Sequence, residues 1–236
     1  MELIMKIRKA QTVWLLDYLE KNLSNLKGDY ICVSNVHTTV TSYEEPFYCA
    51  IQNGGIMAIP DGGPLSSLGR KRGFVMMERT TGPSLMGELF KISAKRGYRH
   101  YFYGSTEETL EKLKNKLQEY YPEIQIAGMY SPPFRALSIE EDNEVIEKIN
   151  ETNPDFVWIG LGAPKQEKWM FDHQGSINGL MIGVGAGFDY YAGNIKRAPQ
   201  WMQKCNLEWL YRLMQDPKRL FKRYFHTNIK FILTYF

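Results

Sequence analysis

Short apolar runs alternate with longer stretches of helical spacing along most of the chain. Residues 10–26 place Val13, Leu16, Leu19/Glu20 and Leu23 on one helical side, and Lys27-Gly28-Asp29 supplies a stop. YICVS (30–34) reads as a short buried strand, with the polar Asn35 to Thr41 at its carboxyl end. PFYCAIQNGG reads as a short helix ending at Asn53-Gly54, and IMAIP (56–60) as the next strand. Leu65 to Gly73 is short and basic and is predicted to be mobile. Leu85, Leu89 and Ile92 mark a helix within residues 78–97. RHYFYGS (99–105) is a strand ending in Gly104-Ser105, followed by an amphipathic helix with Thr106 or Ser105 as N-cap. IQIAGMYSPPF (124–134) is a strand entering a Pro-Pro loop, and residues 139–155 form a charged-face helix that Asn153-Pro154 ends. The repeated β–α order predicts an α/β fold with a mainly parallel, doubly wound sheet.

The stretch Val157 to Pro199 holds two further apolar runs, each ending in a glycine-rich turn. The first opens onto a helix-like segment, and the second onto a compact acidic and aromatic loop. Small residues at a strand end let main-chain N–H groups approach a ligand, and a helix start adds partial positive charge, so phosphate is the natural guest. Gly160, Gly162, Gly183, Gly185 and Gly187 could equally serve tight packing and positive φ. Two such turns in one α/β chain favour a site, and Gly104-Ser105 brings a third glycine-bearing strand end to the edge where open α/β sheets bind ligands.

After Pro199 the pattern changes. The tail divides at Asp216-Pro217 into two helical pieces, the first carrying Leu207, Leu210, Tyr211 and Met214 on one side. In the second, Leu220/Phe221, Tyr224/Phe225 and Phe231/Ile232 recur at helical spacing with Lys218, Arg219, Lys222 and Arg223 between them. Such a segment suits an anionic membrane surface or a packed C-terminal helix. Residues 204–236 hold seven Lys/Arg against Glu208 and Asp216, a charge of +5 on a chain whose net charge is +3. A basic tail on a slightly acidic body implies a localised anionic partner.

Composition narrows the class. With 236 residues, 44% of them hydrophobic, the chain can bury the core of one large α/β domain, or of one domain with an appendage. Cys32, Cys49 and Cys205 are odd in number and lack CxxC spacing, which suggests neither a disulfide framework nor a zinc site and fits a reducing cytoplasm. The sequence shows no signal-peptide pattern and no run of 18 apolar residues, so it is predicted neither secreted nor membrane-spanning. No Walker loop or GxSxG elbow occurs, the four histidines are scattered, and neither glycine turn spells GxGxxG, which weakens a nicotinamide site.

Several polar residues fall at predicted strand ends. Asp61, after IMAIP and before Gly62-Gly63, is placed as a general base or as an ordinary turn aspartate. Arg79 would lie on the same rim, to grip a diphosphate or to pair with Glu78 or Glu88. Gln166 could hold a sugar or phosphate oxygen, while Glu167 beside it could complement a helix dipole. Asp189 could accept from a base or ribose, or cap its loop.

Taken in order, PDGGP, ERTTGPSLM, GLGAPKQEKWM, GVGAGFDYYAGNIKRAPQWM and EWLYRLMQDPKRLFKRY resemble the bacterial WecG/TagA/CpsF glycosyltransferases over roughly residues 30–225. The resemblance implies a Rossmann-like body, assigned to residues 1–200, and a membrane-associating helical appendage, residues 201–236. It implies inverting, metal-independent transfer from a UDP-sugar to a polyprenyl-diphosphate-linked glycan acceptor, with N-acetylmannosamine or its uronic acid as the sugar of the best-known members. Teichoic-acid linkage, common-antigen, capsule or exopolysaccharide synthesis would be the setting, on the inner face of the plasma membrane. No cofactor or metal is expected, nucleic acid is not an expected partner, and a homo-oligomer is compatible with these features.

Carried onto this sequence, the resemblance implies Asp61 as base and Arg79 and Gln166 as further catalytic residues, with Arg212, Arg219 and Arg223 supplied by the tail. It matches Asn35 to the asparagine after the first strand, where family members carry threonine two residues earlier and this chain has Val33, so donor preference would differ. Thr38, Gly62, Gly104 and Ser105 are the other candidate binding positions in the first half. Gly160, Gly162, Pro164, Gly185 and Asp189 complete the set. The competing reading is a nucleotide- or NAD-binding module whose basic tail binds a partner.

Overall fold

A computed structural model describes residues 12–235. Six strands form one parallel sheet: β1 (Tyr30–Ser34), β2 (Met57–Pro60), β3 (Arg99–Gly104), β4 (Gln125–Tyr130), β5 (Phe156–Gly160) and β6 (Leu180–Gly183), in the order β2-β1-β6-β5-β3-β4. The predicted α/β, Rossmann-like class is therefore observed. The last strand in sequence sits inside the sheet, paired with β1 at Ile31↔Ile182 and with β5 at Val157↔Met181.

Alternation along the strands explains the layers. Ile31, Val33, Phe102, Phe156 and Trp158 point to one face. There they meet α1 (Thr12–Leu26), α5 (Gly82–Arg96), α6 (Glu107–Tyr120) and α9 (Gly187–Ala192). Tyr30, Cys32, Tyr101, Val157 and Met181 point to the other, against α7 (Ile139–Glu151) and α8 (Lys165–Asp172). A period of two puts successive side chains on opposite sides, so each strand feeds both cores.

Three sequence expectations change. In α1 the buried stripe is Leu15, Leu19, Leu23 and Leu26, whereas Val13 is 77% exposed. Residues 65–73, expected to be mobile, belong mostly to α4 (Gly63–Lys71), which Pro64 starts and which buries Leu65 and Leu68. The compact loop expected after the second glycine turn is the helix α9. Ser105 adopts φ +62° and Thr106 is the N-cap of α6, accepting from the N–H of Thr109.

Residues 200–235 fold as α10 (Gln200–Lys204), α11 (Glu208–Gln215) and α12 (Pro217–Tyr235). Helix α12 lies on α2 (Val36–Glu44), which is followed by α3 (Pro46–Gly54). Phe231 packs with Val40, Leu65 and Leu68 in a small third core. Among the described residues no helix is long and apolar enough to cross a membrane.

Candidate active site

The carboxyl ends of β1, β2, β5 and β6 open into a cavity of about 630 Å³ that α11 and α12 wall on the far side. The strand ends bring Val33, Asn35, Asp61, Gly162 and Gly185 to it, and the tail brings Glu208, Arg212, Arg219 and Arg223. Body and tail fit closely where Asn206, at φ +60°, lies on Gly63. A Cβ at Gly63 would fall 1.8 Å from the side-chain oxygen of Asn206.

Asn35 begins α2 with a reciprocal capping box. Its side-chain oxygen accepts from the N–H groups of His37 (2.9 Å) and Thr38 (3.2 Å), and Thr38 Oγ1 accepts from the N–H of Asn35 (2.9 Å). Both candidates line the cavity, and the box fixes their orientation. Val33 lines it too. His37 adds a buried Nδ1 with no partner among the described residues. Burial and the charge of Arg223 push its pKa down to about 4, so the ring is neutral near pH 7.

Asp61 follows β2 directly, with its N–H on the carbonyl of Ser34 at 2.7 Å and Gly62 beside it on the cavity wall. Burial pushes its carboxyl up to about 6, against the opposing pull of Arg79, Arg212 and Arg197, and Glu208 adds to the rise. A carboxylate poised there is a better proton acceptor than an ordinary aspartate. Arg79 donates through Nε to the carbonyl of Asp61 (2.7 Å) and through Nη2 to Glu208 of the tail. Neither Glu78 nor Glu88 takes it: Glu78 accepts from the N–H of Thr12 and Glu88 pairs with Lys91.

Gln166 joins the two glycine turns. Its side-chain oxygen accepts from the N–H of Gly162 (3.2 Å) and of Gly185 (2.9 Å), while Nε2 donates to the buried carboxylate of Glu167 (2.8 Å). The sequence reading gave this amide a sugar or phosphate oxygen to hold; in the structure its polar atoms are engaged by the protein. Gly162 and Gly185, at φ +80° and +53°, both line the cavity. Glu167, read as complementing a helix dipole, is fully buried, and burial raises its carboxyl above the usual range.

Five candidates do not line this cavity. Gly104 and Ser105 end β3, which is separated from β6 by β5. Gly104 instead lets β3 approach β5, since a Cβ there would stand 2.7 Å from the carbonyl carbon of Gly160. Gly160 in turn accommodates the ring of Phe188. Pro164, after a cis peptide from Ala163, accepts from the N–H of Lys168. Asp189 caps its loop: its side chain accepts from Asn194 Nδ2 (3.2 Å) and its carbonyl from the N–H of Asn194 (2.9 Å).

The tail arginines are differently engaged. Arg212 lies over the ring of Tyr190 at 5.6 Å, Arg219 pairs with Asp216, and the Nε of Arg223 is buried without a partner among the described residues. Sequence reasoning singled out neither Glu208 nor Arg197. The available signal was that Glu208 is one of two acids in a strongly basic tail. Arg197 donates to Ser84 Oγ at 2.8 Å and lies 3.9 Å from Glu208.

A doubly wound sheet with a carboxylate and several guanidiniums around one cavity at its carboxyl edge places the chain among the α/β proteins whose ligand site lies at that edge. The glycosyl transferase WecG/TagA/CpsF family matches residues 3–236, and the chain belongs to that family. It is 32% identical to the N-acetylglucosaminyldiphosphoundecaprenol N-acetyl-beta-D-mannosaminyltransferase of Bacillus subtilis (strain 168), over 86% of this chain and 78% of that protein. Proteins of the same name from Bacillus spizizenii and Staphylococcus aureus (strain MW2) are 29% and 34% identical, over 86% and 61% of this chain and 76% and 56% of theirs. That membership decides between the two readings of the sequence in favour of a glycosyltransferase.

Proposed function

We propose that this chain transfers N-acetylmannosamine, or a related hexose or uronic acid, from a UDP-sugar to an undecaprenyl-diphosphate-linked acceptor with inversion at the anomeric carbon. The observation that carries this reading is Asp61 beside the arginine-lined cavity. The Asp61 carboxylate takes the proton of the acceptor hydroxyl as its oxygen bonds to the anomeric carbon. The bond from that carbon to the UDP oxygen breaks, and UDP leaves with the electron pair. Arg79 and the tail arginines Arg212, Arg219 and Arg223 line the same cavity, and their guanidinium charge helps offset that of the departing diphosphate. The names of the Bacillus and Staphylococcus relatives support the acceptor and the sugar.

The membrane is the second part of the proposal. Helix α12 buries Leu220, Thr227 and Phe231 against the body and leaves Phe221, Phe225, Ile229, Ile232 and Leu233 exposed, with Lys218 and Lys222 nearby. An exposed apolar stripe on a basic helix suits the anionic inner leaflet that carries the acceptor, in cell-wall teichoic acid, capsule or exopolysaccharide synthesis. Asp61→Asn is expected to abolish transfer from UDP-N-acetylmannosamine to a short-chain N-acetylglucosamine diphospholipid while UDP still binds by calorimetry. Undiminished turnover would remove Asp61 as the base.

A further inference from the structure

Glu208 brings a negative charge from a basic tail into the most guarded part of the site. It is 8% exposed, receives Nη2 of Arg79 on one carboxylate oxygen, and has Nε of Arg197 3.9 Å from the other. Both arginines belong to the body. Arg79 is held by the carbonyl of Asp61 and Arg197 by the hydroxyls of Ser84 (2.8 Å) and Thr81 (3.3 Å). The Glu208–Arg79 pair, mostly shielded from water, is held more firmly than an exposed ion pair because leaving either partner alone there is costly, and Arg197, 40% exposed, adds a weaker attraction.

The charges around Asp61 give that contact a second effect. Arg79 from the segment before α5, Arg197 from the segment after α9, Arg212 and Glu208 from α11, and Tyr190 from α9 all act on this carboxyl or lie against it. Three of the five are cationic and favour its ionised form. Glu208 is the anion among them, and it engages two of those cations directly.

We propose that Glu208 is a positioning residue that latches the tail onto the body through Arg79 and Arg197 and so holds the cavity closed around Asp61. This deepens the reading of Asp61 as the base and rests on it. With the tail displaced, Asp61 meets water, and Arg79 and Arg197 lose their counter-ion. Both changes lower its proton affinity and outweigh the departure of Arg212, which leaves on the same helix and acts on Asp61 more weakly than Glu208, so the base is strongest only when the cavity is walled on all sides. A base that weakens when the site opens leaves a bound donor less exposed to attack by water.

The test uses the full chain and two readouts. Glu208→Gln preserves shape and removes charge, whereas Glu208→Asp preserves charge and shortens the arm. The acidic limb of the kcat/KM profile is expected to move down by about one pH unit in Glu208→Gln and to stay in place in Glu208→Asp. A loss of folded protein alone would scale activity equally at all pH values, and an unmoved limb in Glu208→Gln overturns the tuning role. Amide hydrogen exchange across residues 208–223 is expected to accelerate at least about tenfold in Glu208→Gln, and unchanged exchange overturns the latch. The exchange measurement needs no turnover. If Asp61→Asn proves active while Glu208→Gln still frees the tail, the base assignment fails and the latch stands.

Discussion

Gln166 donates its side-chain N–H to the carboxylate of Glu167 at 2.8 Å, and both residues are buried. Because the nitrogen must face that acceptor, the amide oxygen is left facing the N–H groups of Gly162 and Gly185. One side chain therefore sets the spacing of both glycine turns. Gln166→Ala leaves two N–H groups and a carboxylate without their partner, at about 1–3 kcal/mol for each group so stranded. Transfer is expected to fall at least about tenfold, with far-UV circular dichroism unchanged. Gln166→Glu sets carboxyl against carboxyl. Its Tm is expected to drop at pH 8 and to recover toward pH 5 as one of the pair takes a proton; a pH-independent drop would count against the contact.

Asp61 makes a prediction independent of catalysis. Its folded pKa, about 6, lies above the ordinary aspartate value. Such a group favours the folded state at low pH, and that contribution is lost as pH rises through about 6. Asp61→Asn is therefore expected to be more stable than the parent protein at pH 8, by about 2–4 °C in Tm for each kcal/mol relieved. The two should converge near pH 4. The parent's kcat/KM should decline below about pH 6.

The fit between Gly63 and Asn206 predicts a suppressor. Gly63→Ala puts a methyl group where the Asn206 side chain now lies, so the tail must lift and activity is expected to fall while the body stays folded. Asn206 already holds φ +60°, a conformation glycine adopts freely. Asn206→Gly combined with Gly63→Ala should restore activity toward that of Asn206→Gly alone, as measured by turnover.

The exposed stripe of α12 can be separated from its buried one. Phe221→Ser with Phe225→Ser touches two residues that are 60% and 62% exposed, so Tm should move by less than about 2 °C. Sedimentation with anionic vesicles is expected to drop at least about tenfold. Leu220→Ala, at 1% exposure, should do the reverse and lower Tm with vesicle binding per folded molecule unchanged.

Much of the sheet was legible because each strand is a short apolar run closed by glycine, proline or asparagine, as in YICVS before Asn35 and IMAIP before Asp61. The helical stripe of α1 was misplaced because Val13, Leu16, Leu19 and Leu23 obey the same period as Leu15, Leu19, Leu23 and Leu26, and only packing against the sheet distinguishes them. Helix α4 was missed because its Gly63-Pro64 start and basic end resemble a loop, while its buried face has only Leu65 and Leu68 as large side chains. Gly104 and Ser105 looked like site residues because every parallel strand ends on the same edge; strand order, which sequence does not contain, sets them apart from the cavity. The Arg79–Glu208 contact joins residues 129 positions apart, and no local pattern announces it.

The placement of β6 inside the sheet has a consequence for how the molecule comes into being. β1 can acquire its partner at Ile31↔Ile182 only after the intervening helices and strands have been synthesised, and the far wall of the cavity follows later still, with α11 and α12. Long-range parallel pairing of this kind is slow to form, because loop closure must precede any contact that rewards it. On the ribosome, then, Asn35 and Asp61 emerge early, side by side at the ends of the paired β1 and β2, and the pocket they help to line waits for β6, α11 and α12.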